Sequence, residues 1–154
     1  MQTFIENMPK AELHVHLEGT LEPELSFALA RKNNVELGYA TPEELVAAYD
    51  FYDLPSFLTI YYGAMKVLQD EADFYQLTWN YLSKAYSQNT VYAELFFDPQ
   101  AHTSRGVDFG VVIRGIRAAQ EDAGGGENQK QAGADTVHDK ARGRVRVIGM
   151  IPQR

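Results

Sequence analysis

The chain of 154 residues contains no cysteine. This absence excludes disulfides, thiol nucleophiles and every zinc site built on cysteine, so a bound metal must use histidine, aspartate or glutamate. Positive charge is also scarce, because 14 Lys and Arg stand against 21 Asp and Glu, for a net charge of -7. Nucleic-acid binding draws its affinity from clustered Lys and Arg. The composition therefore disfavours a nucleic-acid partner and favours a small neutral ligand.

Long apolar runs are missing as well. No stretch approaches the roughly 18 consecutive apolar residues that are typical of a membrane span. The first residues include Glu6, Asn7 and Lys10, and they lack the basic and then apolar pattern of a secretory signal. We expect no contact with a membrane and a cytoplasmic location that can include the nucleus as well.

Two segments have the patterns of β-strands. Residues 12–18 alternate between apolar and polar side chains, which is the period of a strand. The apolar face comprises Leu13, Val15 and Leu17, and the polar face comprises Glu12, His14, His16 and Glu18. Residues 90–97 are rich in β-forming residues and almost continuously apolar, as expected of a strand buried in a parallel sheet.

The remaining pattern is helical up to about residue 123. Apolar spacing, capping residues and prolines predict helices over residues 23–33, 41–48, 54–68, 71–87 and 109–121. The order of strand, helices, strand and helix is typical of an α/β barrel or a doubly wound sheet. A glycine-rich polar run follows from Gly124 to Arg144, and we expect it to be unfolded. We therefore divide the chain into a folded part, 1–123, and an atypical tail, 124–154, with a third strand predicted over 145–151.

His14 and His16 are one residue apart on the first predicted strand. Both imidazoles then lie on one face, with Cα atoms about 6 to 7 Å apart, which suits two neighbouring ligands of one metal ion. An amphipathic strand with its polar side in water explains the alternation equally well. Three features favour the metal: Glu18 continues the same face, Gly19 permits a sharp turn, and catalytic groups of barrels lie where strands end.

Zinc in such a site lowers the pKa of a bound water toward neutrality, and the resulting hydroxide can attack an electrophilic carbon. A catalytic zinc needs three or four protein ligands. The other histidines, His102 and His138, do not follow a convincing strand end. We interpret His102 as a loop histidine with a local hydrogen bond rather than as a metal ligand.

Two further interpretations stay open. Asp98, at the end of the second strand, either reaches the pocket or caps the turn before Pro99. An aromatic stripe on the helix over 54–68 either lines the mouth of the pocket or packs in the core, and core packing is the simpler interpretation. The members of the stripe are Phe57, Tyr61, Tyr62 and Met65.

Residues 9–22 read Pro-Lys-Ala-Glu-Leu-His-Val-His-Leu-Glu-Gly-Thr-Leu-Glu, and this string resembles the opening motif of the adenosine and adenine deaminases. The likeness continues through 49–58 and 92–102 and fades after about Asp122. It implies an α/β fold, a partial (β/α)₈ TIM barrel made of N-terminal βα units with a helical insertion. It also implies an enzyme that hydrolyses the 6-amino group of a purine and releases ammonia.

The resemblance also implies roles for three residues. His14 and His16 would be the first two ligands of one Zn²⁺ ion. The acid two residues after the second histidine approaches the substrate in this family, and members that act on adenosine typically carry Asp there to meet the ribose. Here it is Glu18, one methylene longer, which resembles the adenine-specific branch. Glu18 is therefore the expected substrate-binding residue, with adenine as the substrate of a purine salvage enzyme and adenosine as the alternative.

The family completes its site on later strands, with a third histidine ligand, a proton-donating glutamate, a further histidine and a late aspartate. None of these has a matching motif here, so no catalytic residue is assigned. A closed barrel needs about 200 residues or more, and a second hypothesis is therefore a non-catalytic fragment of such an enzyme. A third hypothesis, another metal-dependent hydrolase with a His-x-His strand, requires the wider likeness to be accidental.

Overall fold

The computed structural model describes residues 1–124 and 144–149. Within these residues the helices are α1 (Gln2–Asn7), α2 (Pro23–Asn33), α3 (Pro42–Ala47), α4 (Leu54–Ala64), α5 (Glu71–Ser87), α6 (Pro99–Thr103) and α7 (Phe109–Ala123). The strands are β1 (Lys10–His16), β2 (Thr90–Phe97) and β3 (Arg144–Gly149). Short 3₁₀ turns follow β1 at Leu17–Thr20 and α4 at Met65–Val67. No helix of this described part is long and apolar enough to cross a membrane.

The three strands form one parallel sheet in the order β1, β2, β3. His16 lies beside Phe96, which lies beside Ile148. Helices α2 to α5 connect the first two strands, and α6 and α7 connect the second to the third. The α/β arrangement is therefore confirmed, and the third strand occupies 144–149 where 145–151 was predicted. Residues 125–143 and 150–154 of the predicted tail lie outside the described residues.

The core lies between the sheet and helices α5 and α7. Its large buried side chains include Phe74, Leu77, Leu95, Phe97 and Ile116. The two helices approach each other closely at Gly115, where an added Cβ would come 2.4 Å from the carbonyl oxygen of Glu71. Only glycine permits this approach, which fixes how α7 packs behind β2.

Local capping explains why most helix bounds could be predicted. Asp53 and Asp70 begin α4 and α5, each in a capping box with the residue three positions later, Ser56 and Asp73. The bounds of α2, α5 and β2 agree with the prediction, whereas the helix predicted over 54–68 ends at Ala64 and continues as a 3₁₀ turn. Helices α1 and α6, of six and five residues, were not predicted.

Asp73 joins two helices of the helical insertion. Its side chain is fully buried, and its Oδ1 atom accepts a hydrogen bond from Lys32 Nζ at 2.8 Å. Its Oδ2 atom accepts from Asn33 Nδ2 at 2.7 Å and from the N–H groups of Gln69 and Asp70 at 2.9 and 3.1 Å. The end of α2 is thereby held against the beginning of α5.

The first strand differs from its prediction because it contains a β-bulge. From Glu12 to Val15 the first strand advances three residues while β2 advances two, from Ala93 to Leu95, and His14 within this segment has a φ of 60°. A bulge shifts the alternation by one residue. Glu12 therefore leaves the face predicted for it, and its carboxylate accepts a hydrogen bond of 2.5 Å from the Tyr81 hydroxyl of α5. Leu13, predicted on the apolar face, is 64% exposed.

The strand also ends earlier than the alternation predicted. β1 stops at His16, and the next four residues form the 3₁₀ turn Leu17–Thr20. Leu17 and Glu18 are both buried in this turn. Glu18 thus lies beyond the strand, in a tight turn at its carboxyl end, rather than on a continued polar face.

Candidate metal site and its glutamate

His14 and His16 lie side by side at the carboxyl end of β1, and we call them the histidine pair. Their ring centroids are 5.3 Å apart, with the ring planes tilted by 46°. Phe96 of β2 stacks on His14 at a centroid distance of 4.2 Å. A left-handed backbone at a residue with a side chain costs about 1 to 2 kcal/mol and is concentrated at functional sites. The left-handed residue and the stacked phenylalanine both lie at the histidine pair itself.

The two imidazoles of the histidine pair are suitable zinc ligands, but they are fewer than a zinc site needs. Imidazole nitrogen is a preferred ligand of zinc, which takes three or four protein ligands. Among the described residues, no group of three or more His, Asp or Glu side chains could hold a metal ion. His138 lies outside these residues, and His102 is engaged elsewhere. The histidine pair would supply two of the ligands that zinc needs.

Glu18 follows the histidine pair in the 3₁₀ turn, and its side chain is 1% exposed. Its Oε1 atom accepts from the Asp98 N–H at 2.8 Å and lies 2.9 Å from His102 Nε2. Its Oε2 atom accepts from the Tyr61 hydroxyl at 3.3 Å. Groups from α4, α6 and the residue that follows β2 therefore converge on one carboxylate at the strand end predicted to carry the site.

Tyr61 serves as a donor because its hydroxyl stays protonated. Burial, and then the negative charge of Glu18, raises the pKa of the Tyr61 hydroxyl well above its ordinary value. The pKa of Tyr81 is raised in the same way, by burial and by its hydrogen bond to Glu12. Each tyrosine thus donates a hydrogen bond to a glutamate two residues from the histidine pair, Tyr61 to Glu18 and Tyr81 to Glu12.

His102 corrects one of the sequence interpretations. It was expected in a loop with a local hydrogen bond. The local bond is present, to Arg105 three residues later, but His102 lies in α6, is fully buried, and also contacts Glu18 across 84 residues of sequence. Its ring packs edge-on against Phe74, with centroids 4.9 Å apart. The helix was missed because it has only five residues. Asp98 followed by Pro99 is a helix-start signal that could have revealed it.

Asp98 resolves the choice that the sequence left open. Its side chain caps α6, with Oδ1 accepting from the N–H groups of Gln100 at 3.2 Å and Ala101 at 3.4 Å. Its own N–H donates to Glu18. The carboxylate of Asp98 therefore stabilises the turn, while its backbone contributes to the site.

Some members of the aromatic stripe line a cleft, as one interpretation predicted, and one packs in the core, as the other predicted. Met65 is buried in the core, and Tyr62 is 44% exposed. Phe57 and Tyr61 line a cleft of about 550 Å³ that Glu18 also lines. The histidine pair does not line this cleft, which runs along β1 at the edge of the described sheet. The cleft is therefore distinct from the space in front of the two imidazoles.

Solved structures share this fold. An adenine deaminase from Arthrobacter aurescens matches with a TM-score of 0.73 and 42% identity, covering 92% of this chain and 38% of that chain. A zinc-bound amidohydrolase from Burkholderia ambifaria matches with a TM-score of 0.64 at 23% identity, over 79% of this chain and 34% of that chain, which shows the fold alone. The described residues form the N-terminal part of an amidohydrolase (β/α)₈ barrel, as predicted.

Sequence comparison gives the family. The sequence model of the adenosine deaminase family matches residues 9–132, and this chain belongs to that family. An adenine deaminase from Hahella chejuensis is 56% identical over 123 residues, which cover 80% of this chain and 37% of the relative. An adenine deaminase from Crocosphaera subtropica is 57% identical over 119 residues, which cover 77% and 36%. The chain thus spans little more than a third of the length of these relatives.

Proposed function

We propose that this chain supplies the first part of the active site of an enzyme that hydrolyses adenine to hypoxanthine and ammonia. The observation that carries the proposal is the identity of 56% over 123 residues with a curated adenine deaminase. The reaction consumes one water, whose oxygen replaces the 6-amino group of the purine. The small neutral substrate agrees with the net charge of -7. Adenosine remains the alternative substrate.

His14 and His16 would hold the zinc ion of this enzyme. When bound, zinc lowers the pKa of a coordinated water toward neutrality and so supplies a nucleophile at physiological pH. The bulge and the stacked Phe96 orient the two imidazoles before a metal arrives. Preorganised ligands lose less conformational freedom on binding, which favours a stable centre.

Glu18 would contact the substrate, and its length favours the free base. A glutamate extends one methylene further than the aspartate of members that act on adenosine, so it occupies space that a ribose would need. The hydrogen bonds to Asp98, His102 and Tyr61 hold this side chain in place. A fixed carboxylate excludes the larger substrate more effectively than a mobile one.

A chimera tests the function. Residues 1–122 of this chain would replace the corresponding segment of the Hahella chejuensis adenine deaminase, and ammonia release would be measured with adenine and with adenosine. We expect turnover of adenine in preference to adenosine, and a shift toward adenosine in the Glu18→Asp chimera. A folded, zinc-loaded chimera that prefers adenosine would contradict the proposed substrate.

Zinc binding by the chain itself tests the role of the histidine pair. Two ligands bind more weakly than a complete site, so we expect the chain to take up zinc, to lose it on dialysis against a chelator, and to release no ammonia from adenine. The double variant His14→Ala, His16→Ala is the control and should take up no zinc. Stoichiometric zinc that survives the chelator, measured by elemental analysis, would show that we have missed ligands.

A further inference from the structure

The hydrogen bond between Glu18 and His102 continues to an arginine that the proposed function does not use. His102 is fully buried, with Nε2 2.9 Å from Glu18 Oε1 and Nδ1 3.0 Å from Arg105 Nη2. A buried imidazole with a partner at each nitrogen is fully satisfied and held in one orientation. The ring therefore links an arginine to the carboxylate expected to meet the substrate.

Arg105 determines which nitrogen of His102 carries the proton. A guanidinium group has donors and no acceptor, so Nδ1 must accept the hydrogen bond from Arg105. The imidazole is then neutral, with its proton on Nε2, and it donates that proton to the carboxylate of Glu18. The contact between His102 and Glu18 is a hydrogen bond from a neutral donor, and the positive charge lies on Arg105, one ring away.

The same guanidinium is anchored to the helical insertion. Arg105 donates to the backbone carbonyl oxygens of Ala101 at 2.8 Å and of Met65, Lys66 and Leu68, each at 3.2 Å. The last three follow α4 directly, and α4 carries Tyr61, the donor to the other oxygen of Glu18. One arginine thus fixes the ring on one side of Glu18 and the end of the helix on the other.

We propose that His102 is a positioning residue for Glu18 and that Arg105 sets its tautomer, an inference that rests on the proposed function for the role of Glu18. Oε1 accepts from two donors, the Asp98 N–H and His102 Nε2. Oε2 accepts only the longer bond from Tyr61 among the described residues. The arrangement therefore leaves Oε2 as the oxygen that can accept a hydrogen bond from an N–H group of the purine.

The tautomer can be measured directly in the 154-residue chain. In ¹⁵N NMR spectra of histidine-labelled protein, protonated and bare imidazole nitrogens are resolved, and the four histidines are assigned by substituting each in turn. We expect His102 to show a bare Nδ1 and a protonated Nε2. In Arg105→Met, which keeps an unbranched side chain but removes the donor to Nδ1, we expect a mixture of tautomers. A protonated Nδ1 in the unmodified chain would overturn the proposal.

Two substitutions separate positioning from packing. Glutamine at 102 can still donate to Glu18, whereas phenylalanine fills the space without a donor. In His102→Phe we expect the Glu18 carboxyl ¹³C resonance to move and the affinity for adenine, titrated by NMR, to fall about tenfold or more, the loss expected for a hydrogen bond to a charged group. In His102→Gln we expect an affinity within about threefold of the unmodified chain.

The outcomes distinguish the two proposals. Equal adenine affinity and an unmoved Glu18 resonance in a folded His102→Phe variant would overturn the positioning role. If His102→Phe fails to fold, judged by circular dichroism, the same proposal is tested in Arg105→Met. There we expect a mixture of His102 tautomers and a shifted Glu18 carboxyl resonance, and no change in either would overturn the proposal. If the unmodified chain does not bind adenine, the chimera decides the proposed function, while the Glu18 resonance and the tautomer still decide the roles of His102 and Arg105.

Discussion

Two buried carboxylates in this chain, Asp73 and Glu18, are held in different ways. Asp73 is paired directly with the ammonium group of Lys32, and both of its oxygens face nitrogen donors. Among the ion pairs of the described residues, none joins Glu18 to a lysine or an arginine, and its partners are a backbone N–H, an imidazole and a phenol. Asp73 therefore lies against an ammonium group, which it shares with Asp70, whereas the described partners of Glu18 are polar groups without a lysine or an arginine.

This contrast indicates that Asp73 has a structural role, whereas Glu18 is available to a ligand. A directly paired and fully bonded charge locks neighbouring elements together and leaves nothing for a ligand. A carboxylate held by neutral donors keeps a net negative charge that an incoming hydrogen-bond donor can satisfy. Replacement by the matching amide separates the two cases, because an amide has one donor and one acceptor.

The largest effect is expected from Asp73→Asn. Both oxygens of Asp73 accept, so the new NH₂ group must face a donor whichever way it turns, and Lys32 loses its buried partner. We expect the free energy of unfolding to fall by about 2 to 3 kcal/mol, because a buried amide hydrogen then has no acceptor. Urea denaturation measures the change. The control is Glu71→Gln on the same helix, whose pair with Arg114 is half exposed and should cost less than about 1 kcal/mol.

A smaller effect is expected from Glu18→Gln. The amide oxygen can keep both bonds at Oε1, and the new NH₂ can donate to Tyr61, whose hydroxyl rotates to accept. We expect the free energy of unfolding to fall by less than about 1 kcal/mol, measured by the same denaturation. A loss as large as that of Asp73→Asn would show that the two carboxylates are equivalent and would abolish the distinction drawn between them.

The smallest effect is expected from Asp70→Asn, beside the buried Asp73. Asparagine still caps α5, but the exposed bond with Lys32 loses one charge, at a cost below about 1 kcal/mol. The hydrogen bond from Lys32 lowers the pKa of Asp70 below its ordinary 3.8. Its contribution is therefore fully present above that ordinary value and disappears as the pH falls through the lowered one. The thermal midpoint of Asp70→Asn should lie below that of the unmodified chain near neutral pH, and the two midpoints should converge in acid. A difference that grows in acid would contradict the expected pH dependence.

Much of the fold could be predicted because its signals are local. The bounds of α5 and of β2 follow from a capping aspartate, apolar spacing and β-forming composition over fewer than 20 residues. The histidine pair was found from its spacing and from a motif. The bulge was missed because its cause is not local: the alternation from residue 12 to residue 18 fits a regular strand, and only the register with β2 and the contact of Glu12 with Tyr81 show the extra residue.

Most helices and strands, the family, and His14, His16 and Glu18 as candidate site residues could be predicted from the sequence, since capping, periodicity and motif depend on neighbours along the chain. How Glu18 is held depends on the packing of distant elements. Its partners are 43, 80 and 84 residues away in sequence, and hydrogen bonds at such separations exist only once α4, α6 and the end of β2 have packed together. His102 and Arg105 therefore gained a role that no pattern in the chain had indicated.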